Sequence, residues 1–231
     1  MKRLGRFVGW LALGLAGIFL AVQLSYGVRV WWWRDHNPQG TAFMQASLER
    51  LRAKKPDAKL KHVWVPYERI SPSLKRAVVA AEDARFADHE GFDWEAIEKA
   101  LEKNRKKGKV VAGASTISQQ LAKNLFLSAD RTPWRKGQEA LITVMIEQLM
   151  DKRRILEIYL NVIEWGDGVF GAEAAARHYY GTGAQSLGPD AAARLAAIVP
   201  NPRFYDRNRN TTWLTRKTQM ILARMPSAEV P

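Results

Sequence analysis

The residues Phe7–Tyr26, FVGWLALGLAGIFLAVQLSY, form a run of twenty without a charge. At 1.5 Å rise per residue, a helix of that length spans about 30 Å, the hydrocarbon thickness of a bilayer. Lys2, Arg3 and Arg6 precede the run, and Trp31, Trp32 and Trp33 follow it. Bases before an apolar span keep the preceding end in the cytoplasm, and tryptophans gather at the membrane–water interface. A cleaved signal peptide is the competing reading. Its apolar core is usually shorter, and no A-x-A cleavage site stands before the Trp cluster. The run is therefore read as a retained anchor. The expected organisation is a basic cytoplasmic N-terminus (1–6), a transmembrane helix (7–26), a juxtamembrane connector (27–61) and an extracytoplasmic folded domain (62–231).

Charge constrains the partner of that domain. The chain holds 36 Lys and Arg against 23 Asp and Glu. Five of those bases and one acid fall in the first 35 residues, leaving 31 against 22 in the remainder. A basic domain expects nucleic acid, anionic lipid or a phosphorylated substrate, and composition does not choose among them. The absence of cysteine excludes disulfides, thiolate metal sites and a Cys nucleophile. Four scattered histidines without an HExxH pair argue against zinc.

The spacing of apolar residues predicts an all-α fold. Asp93 caps a helix with Trp94, Ile97 and Leu101 on one stripe. Asn104 to Gly113, NRKKGKVVAG, reads as a mobile basic loop. A long helical run is expected from Trp134 to Asn161, broken by Gly166, Gly168 and Gly171. An Ala-rich helix then reaches Tyr180, a helix from Pro189 ends at Val199–Pro202, and a last one runs near Trp213 to Met225.

Three segments carry candidate chemistry. In AVVAAEDARFADHEGFD, Ala77 to Asp93, the adjacent Glu82 and Asp83 cannot share a helix face. A Glu at the end of an apolar helix has its pKa raised by burial and suits a general base; an ordinary solvated acidic turn is the plain alternative. In GASTISQQLAKNLFL, Gly113 to Leu127, Ser115 or Thr116 caps a helix. Ile117, Leu121 and Leu125 form its buried stripe, and Thr116, Gln120 and Lys123 a polar one. Hydroxyl, amide and ammonium groups in a row suit a sugar pyrophosphate, though a surface helix would look the same. In the third segment Glu139 lies in line with Ile142, Ile146 and Leu149, with Arg135 and Lys136 one turn earlier. It is either a structural ion pair or a carboxylate lining a cleft.

In this order, the three segments resemble the lysozyme-like glycosyltransferase domain of peptidoglycan synthases. E-D-x-x-F-x-x-H-x-G matches Glu82, Asp83, Phe86, His89 and Gly91. G-x-S-T-I-x-Q-Q-x-x-K-N matches Gly113, Ser115, Thr116, Ile117, Gln119, Gln120, Lys123 and Asn124. R-K-x-x-E matches Arg135, Lys136 and Glu139, and K-x-x-I-L-E-x-Y-L-N matches Lys152, Ile155, Leu156, Glu157, Tyr159, Leu160 and Asn161. A Gly171–Gly181 stretch and the VPNP turn extend the similarity over residues 62–206. Tyr180 stands where Phe is common. No S-x-x-K or K-T-G element of a transpeptidase is present, so the resemblance is to the monofunctional biosynthetic transglycosylases.

The resemblance implies a peptidoglycan polymerase that draws on lipid II and extends a β-1,4 glycan with inversion, releasing undecaprenyl pyrophosphate. It implies Glu82 as base and Glu139 as second catalytic carboxylate. Lys123, Arg135 and Lys136 are implied at the pyrophosphate, and Ser115, Thr116, Gln120 and Asn124 at substrate oxygens. Phe86 falls on the substrate side, and Asp83 and His89 there or in support of Glu82. No cofactor is required, with Mg or Mn near Glu139 as an option. The implied setting is the bacterial inner membrane, with membrane lipid, other wall synthases and divisome proteins as partners and no nucleic acid. Two rivals are a lytic enzyme on the same scaffold and a non-catalytic wall-binding module. The lytic enzyme needs a general acid rather than a cation cluster.

Overall fold

Helix α1 runs from Lys2 to Trp33, seven residues beyond the uncharged stretch, in a computed structural model that describes residues 2–109, 111, 113–130 and 132–231. It is long and apolar enough to cross a membrane. Leu11, Leu13, Leu15, Ile18 and Leu20 are exposed along it.

Capping chemistry sets the ends of the helices that follow. Thr41 accepts from the Met44 amide and opens α2 (Ala42–Arg52). After the short strand β1 (Lys61–His62), Ser71 caps α3 (Pro72–Glu82), where Pro72 stands at a first-turn position that needs no N–H. Asp93 caps α4 (Trp94–Lys107), and Gly108 ends it in the left-handed region at φ +64°. Thr116 and Gln119 form a reciprocal capping box on α5 (Ile117–Phe126). Thr132 opens α6 (Pro133–Leu149) and Asp151 opens α7 (Lys152–Val162). Strands β2 (Glu164–Gly166) and β3 (Val169–Phe170) lead into α8 (Ala172–Tyr180) and α9 (Pro189–Ile198). The chain closes with α10 (Pro202–Arg207) and α11 (Thr212–Arg224).

The core joins α3, α5, α6, α7, α9 and α11 around Phe86, Tyr159, Trp165 and Phe170, all fully buried. The all-α expectation holds, with one small addition. Strands β1, β3 and β2 form a three-stranded sheet, β1 parallel and β2 antiparallel to β3. Strands of two or three residues are too short to show a period of two, so the pattern cannot reveal them.

Three expectations are corrected. The run from Trp134 to Asn161 is two helices, because Met150 turns extended (φ −127°, ψ 145°) and Asp151 caps a new start. Asn104 to Lys107 belong to α4, where Arg105, Lys106 and Lys107 complement the negative end of the helix dipole; Val110 and Ala112 lie outside the described residues. The stripe of Trp94, Ile97 and Leu101 does not enter the core, and α4 has no buried residue.

Asn161 and Gly171 lock the sheet to α7. Asn161 Oδ1 accepts from Val65 N at 3.0 Å and its Nδ2 donates to Val65 O at 2.9 Å. Gly171 sits at φ +81°, and a β-carbon there would lie 2.7 Å from the Asn161 carbonyl oxygen. Gly171→Ala therefore combines strain with a backbone clash and is expected to cost about 1–3 kcal/mol in a thermal or urea melt. An unchanged midpoint would refute this account of the β3–α8 turn.

Candidate active site

The last turn of α3 presents Glu82, and Asp83 ends the helix with its side chain turned inward. Asp83 is buried. Its Oδ1 accepts from His89 Nε2 at 2.9 Å and its Oδ2 from the Ile117 amide, in the first turn of α5, at 2.9 Å. His89 Nδ1 accepts from the Gly91 amide at 3.2 Å, which leaves Nε2 to donate to Asp83. The Thr116 hydroxyl donates to the Gly91 carbonyl at 2.7 Å while accepting from Gln119 N. Gly91 itself lies at φ +87°, a conformation that favours glycine. These bonds tie the end of α3, the loop after it and the start of α5 into one unit.

Glu82 stands at the edge of that unit. It accepts from Gln120 Nε2 at 2.9 Å, and Tyr159, fully buried on α7, donates its hydroxyl to Gln120 Oε1 at 2.8 Å. Burial pushes the Glu82 pKa up, opposed by the Gln120 bond and by the charges of Lys217 and Lys123. Burial also lowers the pKa of Lys123, which feels the charges of both Glu139 and Glu82. On α6, Glu139 is only 3% exposed and pairs with both Arg135 and Lys136. Lys136 Nζ reaches Ser115 Oγ at 3.5 Å. Asn124 donates to the Gln120 carbonyl at 2.7 Å. Gln120, Lys123 and Asn124 line a cavity of about 300 Å³ that extends to the VPNP turn, Val199 to Pro202, and Arg203. Two carboxylates in different settings, with cations between them, is the arrangement expected where a proton acceptor and an anion-stabilising cluster act on one substrate.

Comparison with known proteins decides the family. The profile described as Transglycosylase matches residues 48–226. The chain belongs to the transglycosylase family. It is 64% identical over its full length, and that of the relative, to a protein named biosynthetic peptidoglycan transglycosylase from Dechloromonas aromatica. A protein of the same name from Nitrosospira multiformis is 64% identical over 92% of this chain and 94% of its own. Another from Herminiimonas arsenicoxydans is 60% identical over the full length of both.

Contacts join Glu82 to Gln120 and Gln120 to Asn124, and Ser115, Arg135 and Glu139 to Lys136 or one another, while Lys123 feels both Glu82 and Glu139. Four of the substrate-side residues make supporting contacts within the protein. Phe86 is fully buried under Lys152, whose Nζ lies 4.7 Å from its ring centroid, so it supports the loop from beneath. Thr116 spends its hydroxyl on the cap and on Gly91, and Asp83 with His89 forms the pin that holds Glu82. The sequence reading missed Lys217 of α11, Phe43 of α2 and any role for Tyr159. Phe43 holds Lys123 by a cation–π contact at 5.6 Å. Of these only Tyr159 carried a signal, through its place in the fourth motif.

A base works only when ionised, so activity should fall as pH drops through the raised pKa of Glu82. Lys217→Gln removes a charge that lowers this pKa and should move the acidic limb of the kcat profile to higher pH. Tyr159→Phe releases Gln120 and should cut kcat about fivefold, the equivalent of one hydrogen bond. A limb that stays in place in Lys217→Gln would show that Glu82 does not set it.

Proposed function

We propose that Glu82 is the general base of a glycan polymerase and that Lys123, Arg135 and Lys136 receive the pyrophosphate that the reaction expels. As a transglycosylase, the chain is a glycosyltransferase that builds peptidoglycan glycan strands, with lipid II and the growing strand as substrates. The acceptor GlcNAc 4-hydroxyl oxygen attacks C1 of the donor MurNAc from the face opposite the leaving group. The C1–O bond to the lipid pyrophosphate breaks and the electron pair leaves with that oxygen. The hydroxyl proton passes to the Glu82 carboxylate, and the new β-1,4 bond forms with inversion.

Lys123 is the observation that supports this division of labour best. A half-buried ammonium between Glu82 and Glu139 links the base to the cation cluster. A raised pKa on Glu82 would serve an acid or a base equally well. The cluster favours synthesis, because a pyrophosphate needs positive charge rather than a proton as it departs. Glu139 accepts from both Arg135 and Lys136 and holds them in place. That leaves it poorly suited to a metal, since a divalent ion would have to displace both cations. No group of three His, Asp or Glu residues able to hold one occurs among the described residues. We therefore propose that no cofactor is required and that any Mg or Mn rides on the substrate pyrophosphate.

We further propose that α1 anchors the chain in the bacterial inner membrane, N-terminus inside and catalytic domain outside. Its packing on α6 supports this. Gln23 donates to Gln138 at 2.9 Å, and the rings of Phe19 and Trp134 lie 6.2 Å apart. Phe19 lies inside the uncharged run, so the exposed Trp134 packs beside the apolar segment of α1. Other wall synthases and divisome proteins are proposed partners in the same plane.

Glu82→Gln should lower polymerisation of labelled lipid II roughly 10²-fold or more, measured as muramidase-sensitive polymer. The same substitution should leave the thermal midpoint equal or raise it. A raised carboxylate pKa means that ionisation costs folded-state stability, a cost present above the ordinary Glu pKa and absent from Gln. Full-rate polymerisation by Glu82→Gln would remove Glu82 as base. For the metal, EDTA is expected to leave the melting temperature of the free protein unchanged, whereas a drop would reveal a protein-held ion.

A further inference from the structure

A second cavity lies away from the catalytic carboxylates. It has a volume of about 780 Å³ and opens between the end of α1, one face of α2 and the residues before β1. That volume falls within the roughly 300–1,000 Å³ of small-molecule sites. Three cations line it: Arg29 from α1, Arg52 from α2 and Lys59 before β1. No carboxylate does. Trp33, Met44 and Leu48 supply apolar wall.

The three cations are not consumed by the protein. Arg29 lies against the rings of Tyr26 and Phe126, at 5.8 and 5.7 Å, and makes no hydrogen bond or ion pair among the described residues. Arg52 uses only its Nε, towards the Ala58 carbonyl. Lys59 is exposed and has no partner among the described residues. Elsewhere cations near the sheet are paired: Arg50 with Asp167 and Arg203 with Glu164. Three positive charges facing one cavity without an acid repel one another and attract an anion.

Depth identifies the chemistry of that anion. This step rests on the proposal that α1 spans the bilayer. Arg29 stands three residues, about 5 Å, beyond Tyr26 and Trp33 about 10 Å beyond it, which is the headgroup layer. An anion with apolar chains at that level is a phosphate-bearing lipid. We propose that this cavity binds the phosphate headgroup of a membrane amphiphile, Arg29, Arg52 and Lys59 holding the phosphate and the apolar wall the first part of its chains. The walls come from α1, α2, β1 and the end of α5, so an occupied site would brace α1 against the catalytic domain.

The test uses full-length protein in mixed micelles of neutral detergent and phosphatidylcholine, titrated with phosphatidylglycerol, with bound lipid counted by native mass spectrometry. The expected result is one phosphatidylglycerol per chain, held at least tenfold more tightly than phosphatidylcholine. The triple variant R29Q/R52Q/K59Q should lose that preference. The control K54Q/K55Q/R224Q removes three exposed charges outside the cavity and should keep it. Circular dichroism and thermal midpoints establish that both variants are folded. A second arm adds undecaprenyl phosphate. If it displaces phosphatidylglycerol, the site serves the polyprenyl lipid; if phosphatidylglycerol stays, it serves a bilayer lipid. Both results support a phosphate-headgroup site. No preference in the wild type, or equal binding by the R29Q/R52Q/K59Q variant, overturns it. Retention of the protein in carbonate-washed membranes reports separately whether α1 is inserted, so a failed anchor is not mistaken for an empty cavity.

Discussion

The Asp83 carboxylate is the cross-link on which the catalytic arrangement depends. Its two oxygens accept from His89 and from the first turn of α5, so one buried side chain joins the end of one helix to the start of another. Lys152 reinforces the loop between them by donating to the His89 carbonyl while pairing with Glu147. Glu82 is covalently next to this pin, and Gln120 lies one turn into α5. Their contact at 2.9 Å is therefore set by backbone geometry rather than by two free side chains finding each other. The fourth motif acts through the same structure: Lys152 and Tyr159 face the site, while Glu157 and Asn161 hold residues 65–67.

Around that pin, the electrostatics are balanced between opposing demands. Burial favours a protonated Glu82, and Gln120, Lys123 and Lys217 favour an ionised one. A carboxylate kept between those limits can accept a proton without being permanently neutralised by an ion pair. Glu139 is handled differently. It is almost fully buried, yet it is bonded to two cations, and removing one partner from such a pair is costly. The same bonds hold Arg135 and Lys136 against Glu139, and Lys136 also reaches Ser115.

Helix α1 is part of this architecture. Gln23, a polar residue within an apolar helix, is buried against Gln138, the residue before Glu139. An amide pair in apolar surroundings is worth making and costly to leave open, so it resists sliding of α1 along α6. The catalytic helix is thereby held at one depth relative to the apolar run. The Arg29, Arg52 and Lys59 cavity opens between the end of α1 and α2.

Much of this was legible in the chain because it is local. Thr116, Asp93 and Pro189 mark helix starts through bonds or ring geometry spanning three or four residues. The position of Glu139 on an apolar stripe, with Arg135 and Lys136 a turn away, needs only the helical period. The uncharged run Phe7–Tyr26 determined a helix of membrane length, and the ordered motifs determined the family. What the periodicity could not show depends on residues far apart in sequence. Lys217 reaches Glu82 across 135 positions because α11 packs near α3, and Phe43 meets Lys123 because α2 crosses α5. The contacts that brace Thr116, Phe86 and His89 likewise come from tertiary structure, since a motif fixes spacing but not which neighbour claims each polar atom. The three-cation cavity exists for the same reason: only packing brings Arg29, Arg52 and Lys59 to one wall, with no acid between them.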